Sequence, residues 1–339
     1  MSKQTKQVRA VVARLDRIIE EYKAETPERP RDWRTYEQQF AQKMRTCFGE
    51  IEPMVEEAVS KIKIIKTETR GNEPKLNLKQ KVLLLLLKHF CIKSNRAMEG
   101  MTTLFRWLSD IDVSYKSIER LYSDQAIQLA MHNLHLIILK KKGITVSDSC
   151  GDGTGHTIHI TEHYATEATK RKDKAKTNNP KEKKTRFTYS FALMDIKTRM
   201  YIGYGTSIKS EKDAFEKALT LAKETGITIQ TLRLDRYYSA QAYVQECQEQ
   251  LGKVTMFLIP KKNIASLGVG EFCSMIYRFV DDTKLYLQEY FKRNQSESGI
   301  SEDKKRTGWR IAQRKEDRID LAYTLTATWH NLCWLGNEV

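Results

Sequence analysis

The segment 143–158 constrains the fold of this 339-residue chain more than any other part of it. It reads Gly-Ile-Thr-Val-Ser-Asp-Ser-Cys-Gly-Asp-Gly-Thr-Gly-His-Thr-Ile, which predicts a strand, a glycine-rich turn or break, and a second strand. Two aspartates, Asp148 and Asp152, lie beside backbone that is too small to crowd a ligand. The sequence before this segment has helical spacing, and the sequence after it alternates strands and helices. The sequence therefore predicts a change from helical structure to mixed strands and helices at this segment.

The composition indicates a polyanionic partner. Lys and Arg number 58 against 43 Asp and Glu, which gives a net charge of +15. A charge of this size favours nucleic acid as the partner, and the alternative is a basic protein whose charge serves only solubility. Six scattered cysteines without Cys-x-x-Cys spacing argue against a zinc ribbon or a disulfide scaffold and favour a reducing compartment. The start lacks an apolar signal core, and the longest apolar run, 82–87, is too short to span a bilayer. We therefore expect a cytoplasmic protein without membrane contact.

Helical patterns precede the central segment. Residues 1–70 predict an N-terminal helical region whose pattern is broken at 26–30, because two prolines so close together cannot lie inside a helix. Pro53 could interrupt its second helix. Residues 75–142 predict a further helical region, in which Ser114 or Ser117 could cap a helix. Two helices and a turn there favour a helix-turn-helix DNA-binding domain, and the alternative is an ordinary packed helical pair.

Strands and helices alternate after residue 143. The predicted strands are 157–163, 187–194, 199–204, 227–234 and 254–260, with helices at 210–225 and 239–250. This order is that of the ribonuclease H-like fold, and other α/β folds share parts of it. We therefore predict an α/β catalytic domain over 143–339, with a mixed five-stranded sheet and flanking helices, preceded by an all-α region. The basic loop 169–186 lies between strands, so we expect it to contact phosphate, although such charge runs are often only solvated.

Asp235 follows an apolar strand, at the position where open α/β sheets bind ligands. The alternative is that it belongs only to a turn or a helix cap. In the ribonuclease H arrangement its strand lies beside the first strand, so Asp235 would face the segment 143–158. Two carboxylates so close repel each other and require cations, and Mg²⁺ or Mn²⁺ suits oxygen ligands. Two such ions can activate water and stabilise a leaving 3′ oxygen of a phosphodiester.

A third carboxylate is expected from a later helix, and the candidates are Glu297, Glu302 and Glu316. Spacing distinguishes them, because two, three and six residues separate the members of the series Tyr290, Arg293, Glu297 and Lys304. At these intervals the chain resembles the DDE-type insertion-sequence transposases of the retroviral-integrase superfamily, which carry a Tyr-Arg-Glu-Lys signature. The sequences Asp-Gly-Thr-Gly at 152–155 and Leu-Asp-Arg-Tyr-Tyr-Ser at 234–239 are similar to the first two motifs of that family. The resemblance extends from about Ile144 to Leu335.

The resemblance implies roles for these residues. Asp152, Asp235 and Glu297 would be the catalytic ligands of Mg²⁺ or Mn²⁺. Arg293 and Lys304 would hold DNA phosphates, and Tyr290 would bond to or stack on DNA, whereas the alternative for each of these three is an ordinary surface residue. The implied protein is a transposase that cuts double-stranded DNA at the ends of its element and joins the freed 3′-OH to target DNA. It would act as a homodimer on DNA and associate with the nucleoid.

Two assignments and two other functions remain open. Asp148 is an alternative to Asp152 as the first carboxylate. We expect Ser298-Gly299 to break the helix after Glu297, and a helix that began near Ser301 would favour Glu302 instead. The other functions are a catalytically inactive DNA-binding protein derived from a transposon and a structure-selective nuclease of the same fold.

The histidines and the cysteine of this region have ordinary interpretations. His156 points opposite to His159 and His163 in a strand, so the three could not easily share a zinc ion, and we expect exposed strand histidines. Cys150 has no base partner at a readable spacing and is interpreted as a small apolar filler. No Gly-x-x-x-x-Gly-Lys loop occurs, so ATP use is not indicated.

Overall fold

The structure is a computed structural model that describes residues 3–25, 32–63, 75–92, 95, 97–98, 101, 113–158 and 187–336. The basic loop 169–186, His159 and His163 lie outside the described residues. The predicted phosphate contact of that loop therefore stays a prediction.

The described elements that precede the sheet are helices. They are α1 (Lys3–Ala13), α2 (Leu15–Glu25), α3 (Trp33–Ser60), α4 (Leu78–Phe90), α5 (Tyr115–Leu121) and α6 (Gln125–Lys142). α3 continues through Pro53, so the interruption considered there does not occur. Of the two candidate caps, Ser114 caps α5 by accepting a hydrogen bond from the backbone N–H of Ser117. In the part of the chain that is described, no helix is both long and apolar enough to cross a membrane.

A mixed five-stranded sheet follows, in the order β3-β2-β1-β4-β5. Its strands are β1 (Val146–Thr157), β2 (Phe187–Asp195), β3 (Tyr201–Ser207), β4 (Thr228–Arg233) and β5 (Thr255–Phe257). β2 is antiparallel to both β1 and β3, whereas β4 is parallel to both β1 and β5. β1 is thus the central strand, paired with β2 on one side and with β4 on the other.

β1 is one continuous strand, so the expected glycine-rich break within 143–158 is wrong. Gly151, Gly153 and Gly155 pair with Leu193, Phe191 and Tyr189 of β2. A Cβ atom at Gly151 would lie within 3 Å of the Leu193, Leu234 and Phe191 side chains. Gly151 therefore makes room for bulky neighbours on an extended strand rather than for a turn.

Helices flank the sheet in the second half of the chain. They are α7 (Glu211–Glu224), α8 (Gln241–Leu251), α9 (Gly270–Asp281), α10 (Thr283–Phe291), α11 (Asn294–Thr307) and α12 (Glu316–Leu335), and a 3₁₀ turn spans Arg236–Tyr238. These elements place α11 against β1 and α7 against β2 and β3.

α11 runs unbroken through Ser298-Gly299, so the expected break after Glu297 is also wrong. A Cβ atom at Gly299 would lie 2.3 Å from Met194 Cε and 3.3 Å from the Tyr201 hydroxyl. Glycine therefore fits the close approach of α11 to the sheet, and a larger residue would require the Met194 side chain to move. Gly299 occupies this position although glycine lowers the stability of a helix interior relative to alanine.

One continuous hydrophobic core joins the helices before β1 to the sheet. α12 is buried along most of its length and packs against α3, α6 and β3. Its Trp329 is buried, and the indole N–H donates a 3.0 Å hydrogen bond to the carbonyl of Leu86 in α4. The division into 1–70, 75–142 and 143–339 stays a prediction.

Close packing of α7 on β3 gives a testable prediction about stability. A Cβ atom at Gly203 would lie 2.3 Å from the backbone carbonyl oxygen of Ala218, which cannot move without displacing the helix. We expect Gly203→Ala to lower the free energy of unfolding by about 1–3 kcal/mol, as overpacking does. Urea denaturation followed by circular dichroism measures this change.

Gly49→Ala is the matched control. Gly49 lies inside α3, and a Cβ atom added to it would meet no neighbouring side chain or element within 4 Å among the described residues. This substitution should raise stability by about 0.5–1 kcal/mol. Equal effects of the two substitutions would contradict the packing argument.

Candidate active site

The first two predicted carboxylates lie at the same edge of the sheet. β1 and β4 are parallel neighbours, with Cys150 paired to Arg233. Asp152 and Asp235 each lie two residues beyond that pair, so both strands carry an aspartate at the same level. Asp235 begins the 3₁₀ turn, but its side chain makes no capping hydrogen bond to the described residues of that turn. Asp235 thus belongs to the turn through its carbonyl oxygen, which accepts a 3.0 Å hydrogen bond from the Tyr238 N–H, and within the described residues its carboxylate is not used as a cap.

Arg293 joins these aspartates to the third predicted carboxylate. Its Nη1 lies 2.7 Å from Glu297 Oε1, one helical turn further along α11. Its Nη2 lies 3.6 Å from Asp235 Oδ1 and 3.9 Å from Asp152 Oδ1. Three carboxylates on three different elements thus surround one guanidinium group.

Electrostatics at this cluster follow from burial and from like charge. Burial raises the pKa of Asp152 to about 6, while the Arg293 charge opposes this and the Glu297 and Asp235 charges add to it. Burial alone would lower the pKa of Arg293, but Tyr290 and the three carboxylates outweigh it and the pKa is raised. Asp152 is therefore an unusually basic carboxylate beside a firmly charged guanidinium.

Whether these side chains suit a metal ion depends on their chemistry and on their spacing. Three carboxylates provide the hard oxygen ligands that Mg²⁺ and Mn²⁺ prefer. Among the described residues, however, no three His, Cys, Asp or Glu side chains are arranged as ligands of one ion. The carboxylates stand instead at the wider spacing of the contacts to Arg293. The residue types therefore fit a divalent cation. In this structure the Arg293 guanidinium lies between the three carboxylates.

The alternative carboxylates lie elsewhere. Asp148 is exposed and accepts a 2.6 Å hydrogen bond from the Thr231 hydroxyl. Glu302 interacts electrostatically with Lys43 and Arg306 rather than with Arg293. Glu316 begins α12, with a carboxylate oxygen 3.7 Å from Lys217 Nζ. These contacts leave Asp152, Asp235 and Glu297 as the group that meets at Arg293.

Tyr290 and Lys304, the two other residues predicted to contact DNA, are buried in this structure. Tyr290 is 4% exposed, and its ring centroid lies 5.6 Å from the Arg293 guanidinium carbon. Lys304 is 6% exposed and donates hydrogen bonds to the Thr154 hydroxyl and the Gly155 carbonyl. Burial lowers the pKa of Lys304, and the nearby Asp152 charge opposes that effect. Lys304 therefore ties α11 to β1 beside Asp152.

A buried polar network holds α11 against its neighbours. Asp303 accepts hydrogen bonds from the Tyr201 hydroxyl at 2.7 Å and from Arg306 Nη1 at 3.1 Å. The His330 ring of α12 lies with Nδ1 2.8 Å from Asp303 Oδ1 and Nε2 2.7 Å from the Arg199 carbonyl oxygen. Because the network reaches β3 and α12, it fixes the helix that carries Arg293, Glu297 and Lys304. The sequence offered no signal for it, since Asp303 lies in an ordinary charged run.

Glu211 is a fourth carboxylate that sequence analysis missed. It opens α7 and lies against Gly153 on the opposite face of β1, where a Cβ atom would be 2.5 Å from Glu211 Cδ. The Tyr238 hydroxyl donates a 2.8 Å hydrogen bond to it, and burial raises the Tyr238 pKa. Two features of the sequence could have indicated Glu211: the small residue Gly153 and the tyrosine pair after Asp235. From the sequence alone, both are interpreted only as parts of the two aspartate motifs.

Cys150 and His156 are both buried. Cys150 is a filler as predicted, and burial raises the pKa of its thiol to about 11. The expectation that His156 is exposed is wrong, because α12 covers this part of β1 and Tyr323 packs edge-on against the imidazole. Burial lowers the pKa of His156 to about 3.

The similarity of this chain to a known protein extends over nearly its whole length. No family model matches it. It is 38% identical over 327 residues to a protein of Archaeoglobus fulgidus described as "Probable transposase for insertion sequence element ISA1214". The alignment spans 96% of this chain and 94% of that protein. The aligned region therefore includes the helices before β1 as well as the sheet.

The raised pKa of Asp152 predicts a pH-dependent effect of Asp152→Asn. A carboxyl group with a raised folded-state pKa contributes stability at low pH, and this contribution is lost as pH rises from about 4 to about 6. Asp152→Asn should therefore stabilise the protein in EDTA at pH 7.5 by on the order of 1–3 kcal/mol, and the gain should vanish near pH 4. Urea denaturation at both pH values measures it.

Asp148→Asn is the control, because it changes an exposed aspartate of the same strand and should alter stability by less than about 0.5 kcal/mol. If Asp152→Asn were destabilising at pH 7.5, attraction to Arg293 would outweigh the cost of burying Asp152, contrary to this argument.

Proposed function

The chain belongs to the family of insertion-sequence transposases, and from that premise we propose that it cuts DNA at the ends of its element and joins the freed 3′-OH to target DNA. We propose Asp152, Asp235 and Glu297 as its catalytic carboxylates. The observation that carries this proposal is their convergence on Arg293 from β1, the end of β4 and α11. Unlike charges scattered on a surface, these three lie within contact of one buried cationic group.

The sheet supports a ribonuclease H-like catalytic domain over 143–339. Its order, β3-β2-β1-β4-β5 with β2 antiparallel to its neighbours, agrees with that fold. The parallel pair β1 and β4 brings two carboxylates to one edge, where open α/β sheets bind their ligands. For the helices within 75–142 we propose DNA binding through a helix-turn-helix, and the region 1–70 is proposed as a separate N-terminal helical region.

Asp152, Asp235 and Glu297 would hold Mg²⁺ or Mn²⁺. When bound at such a site, these ions supply the Lewis acid that phosphodiester cleavage requires. The raised pKa of Asp152 agrees with this role, because a crowded, partly buried carboxylate gains most from a cation. Asp148 has the weaker claim, since its carboxylate is already hydrogen-bonded to Thr231 and stands apart from Arg293.

The basic residues of α11 would act on the DNA backbone and on the site itself. Arg293 offers a planar group suited to a bidentate phosphate contact once it is released from the carboxylates. Lys304 is a point charge close to Asp152, where it would lower the cost of bringing in an anionic strand. For Tyr290, burial beneath Arg293 favours support of the guanidinium over stacking on a base.

The proposed partner is double-stranded DNA, both the element ends and the target, bound by a homodimer. The net charge of +15 supports a polyanionic partner. Two other functions make different predictions. A DNA-binding protein derived from a transposon would bind end DNA without metal-dependent cutting. A structure-selective nuclease would cut with metal but would neither prefer element ends nor join strands.

Substitution of the three carboxylates tests the proposal. We expect Asp152→Asn, Asp235→Asn and Glu297→Gln each to lower Mg²⁺-dependent cleavage of element-end DNA by about 10²–10³-fold, the usual cost of losing one group that stabilises transition-state charge. Affinity for the same DNA, measured in EDTA, should change little. The substrate is a labelled duplex carrying the inverted repeats that flank the coding sequence.

Asp148→Asn and Glu302→Gln are the matched controls, and both should retain cleavage. Loss of activity in Asp148→Asn with retention in Asp152→Asn would refute the choice of first carboxylate. The same exchange between Glu302 and Glu297 would refute the third. End DNA bound by the wild-type protein but never cut would favour the inactive DNA-binding protein.

A further inference from the structure

We infer that Arg293 is a resident counter-ion of the carboxylate cluster, which competes with the divalent cation and has to withdraw before that cation enters. This inference rests on the proposed function, because it concerns access to the proposed metal site. It adds to that function a role for Arg293, which links binding of the metal ion to binding of DNA.

The contacts of Arg293 are unequal. Of the three carboxylates, only Glu297, at 2.7 Å from Nη1, is within hydrogen-bond distance. Asp235 and Asp152 lie 3.6 and 3.9 Å from Nη2, where the attraction is mainly coulombic. The guanidinium is thus held among the carboxylates by charge more than by hydrogen bonds, and it can be displaced by another cation.

The guanidinium is also incompletely satisfied. Arg293 is 9% exposed, and its Nε is buried without a hydrogen-bond partner among the described residues. A buried donor that lacks a partner costs free energy. A phosphate oxygen would offer Arg293 a better set of acceptors than the two distant aspartates do. Binding of a DNA backbone would therefore favour movement of the Arg293 side chain away from the carboxylates.

A divalent cation and the guanidinium cannot both occupy the centre of the cluster. Mg²⁺ requires its oxygen ligands at about 2.0–2.1 Å, which draws the carboxylates closer than their present contacts to Arg293. The two cations would then lie a few ångströms apart and repel each other. Metal affinity is accordingly reduced by the fraction of molecules in which Arg293 occupies the site. Because binding linkage is reciprocal, DNA that draws Arg293 away strengthens metal binding.

The first test measures Mn²⁺ binding by calorimetry with the full chain in the absence of DNA. Arg293→Met removes the charge and keeps much of the length, and we expect it to bind Mn²⁺ about tenfold more tightly than the wild type. Arg293→Lys keeps the charge and should remain close to the wild type. Element-end DNA should tighten Mn²⁺ binding by the wild type and leave that by Arg293→Met unchanged.

Arg278→Met is the matched control, because it removes an arginine that also pairs with a glutamate, Glu271, on its own helix but does not contact the cluster. It should leave Mn²⁺ affinity unchanged. Unchanged or weaker Mn²⁺ binding by Arg293→Met would overturn the inference. If Glu297→Gln still abolished Mn²⁺ binding in that case, the proposed metal site would stand and only the counter-ion role would fail.

A second test examines the counter-ion role of Arg293 through thermal stability in the absence of metal. In EDTA, Arg293→Met should lower Tm, because three neighbouring carboxylates lose their cation, and Arg293→Lys should largely restore it. Asp152→Asn should raise Tm more in the Arg293→Met background than in the wild type, since it then relieves uncompensated repulsion. Equal increments in the two backgrounds would show no coupling between Asp152 and Arg293 and would overturn the inference. If no variant bound Mn²⁺ at all, both the metal site and the competition would be refuted.

Discussion

Repulsion between carboxylates is the constraint on which the arrangement of this protein depends. Asp152, Asp235 and Glu297 come from a central strand, the end of its parallel neighbour and a covering helix, and each is drawn to the guanidinium of Arg293. Without a cation between them, such groups would separate or take up protons. The fold opposes separation by fixing the elements that carry them, and the raised pKa of Asp152 shows that protonation is favoured there. A cluster of this kind lowers stability, and a protein retains it where the charges serve function.

Rigidity around the cluster comes from small residues and from buried polar bonds. Gly299 allows α11 to approach Met194 and Tyr201, while Asp303 binds that helix to Tyr201 and His330. On the other face of β1, Gly153 leaves space for Glu211. β1 is therefore clamped from both sides at the level of Asp152. These contacts fix the backbone positions from which Asp152 and Glu297 reach Arg293.

The sequence predicted local features well and tertiary proximity poorly. The order of strands and helices from 187 onward, the Ser114 cap and the burial of Cys150 depend on neighbouring residues, and the structure agrees with each. The predicted strand 157–163 lies mostly outside the described residues. The breaks expected at the glycines of β1 and at Gly299 were wrong, because at Gly151, Gly153 and Gly299 folding brings a side chain close to the glycine. Single-sequence rules interpret glycine as a turn or a helix end, since they do not include such partners. The Asp303 and His330 contact and the position of Glu211 were missed for the same reason.

The position of α12 has a consequence for the folding of the chain. Trp329 bonds to Leu86 across 243 residues of sequence, and the helix supplies buried side chains to both the early helices and the sheet. Because α12 contributes buried side chains to both parts of the core, the complete core requires residues as late as 335. Pairing over such distances also slows folding, because the ends of long loops must meet first. A fragment that ends before α12 would therefore lack the packing that joins the early helices to the sheet.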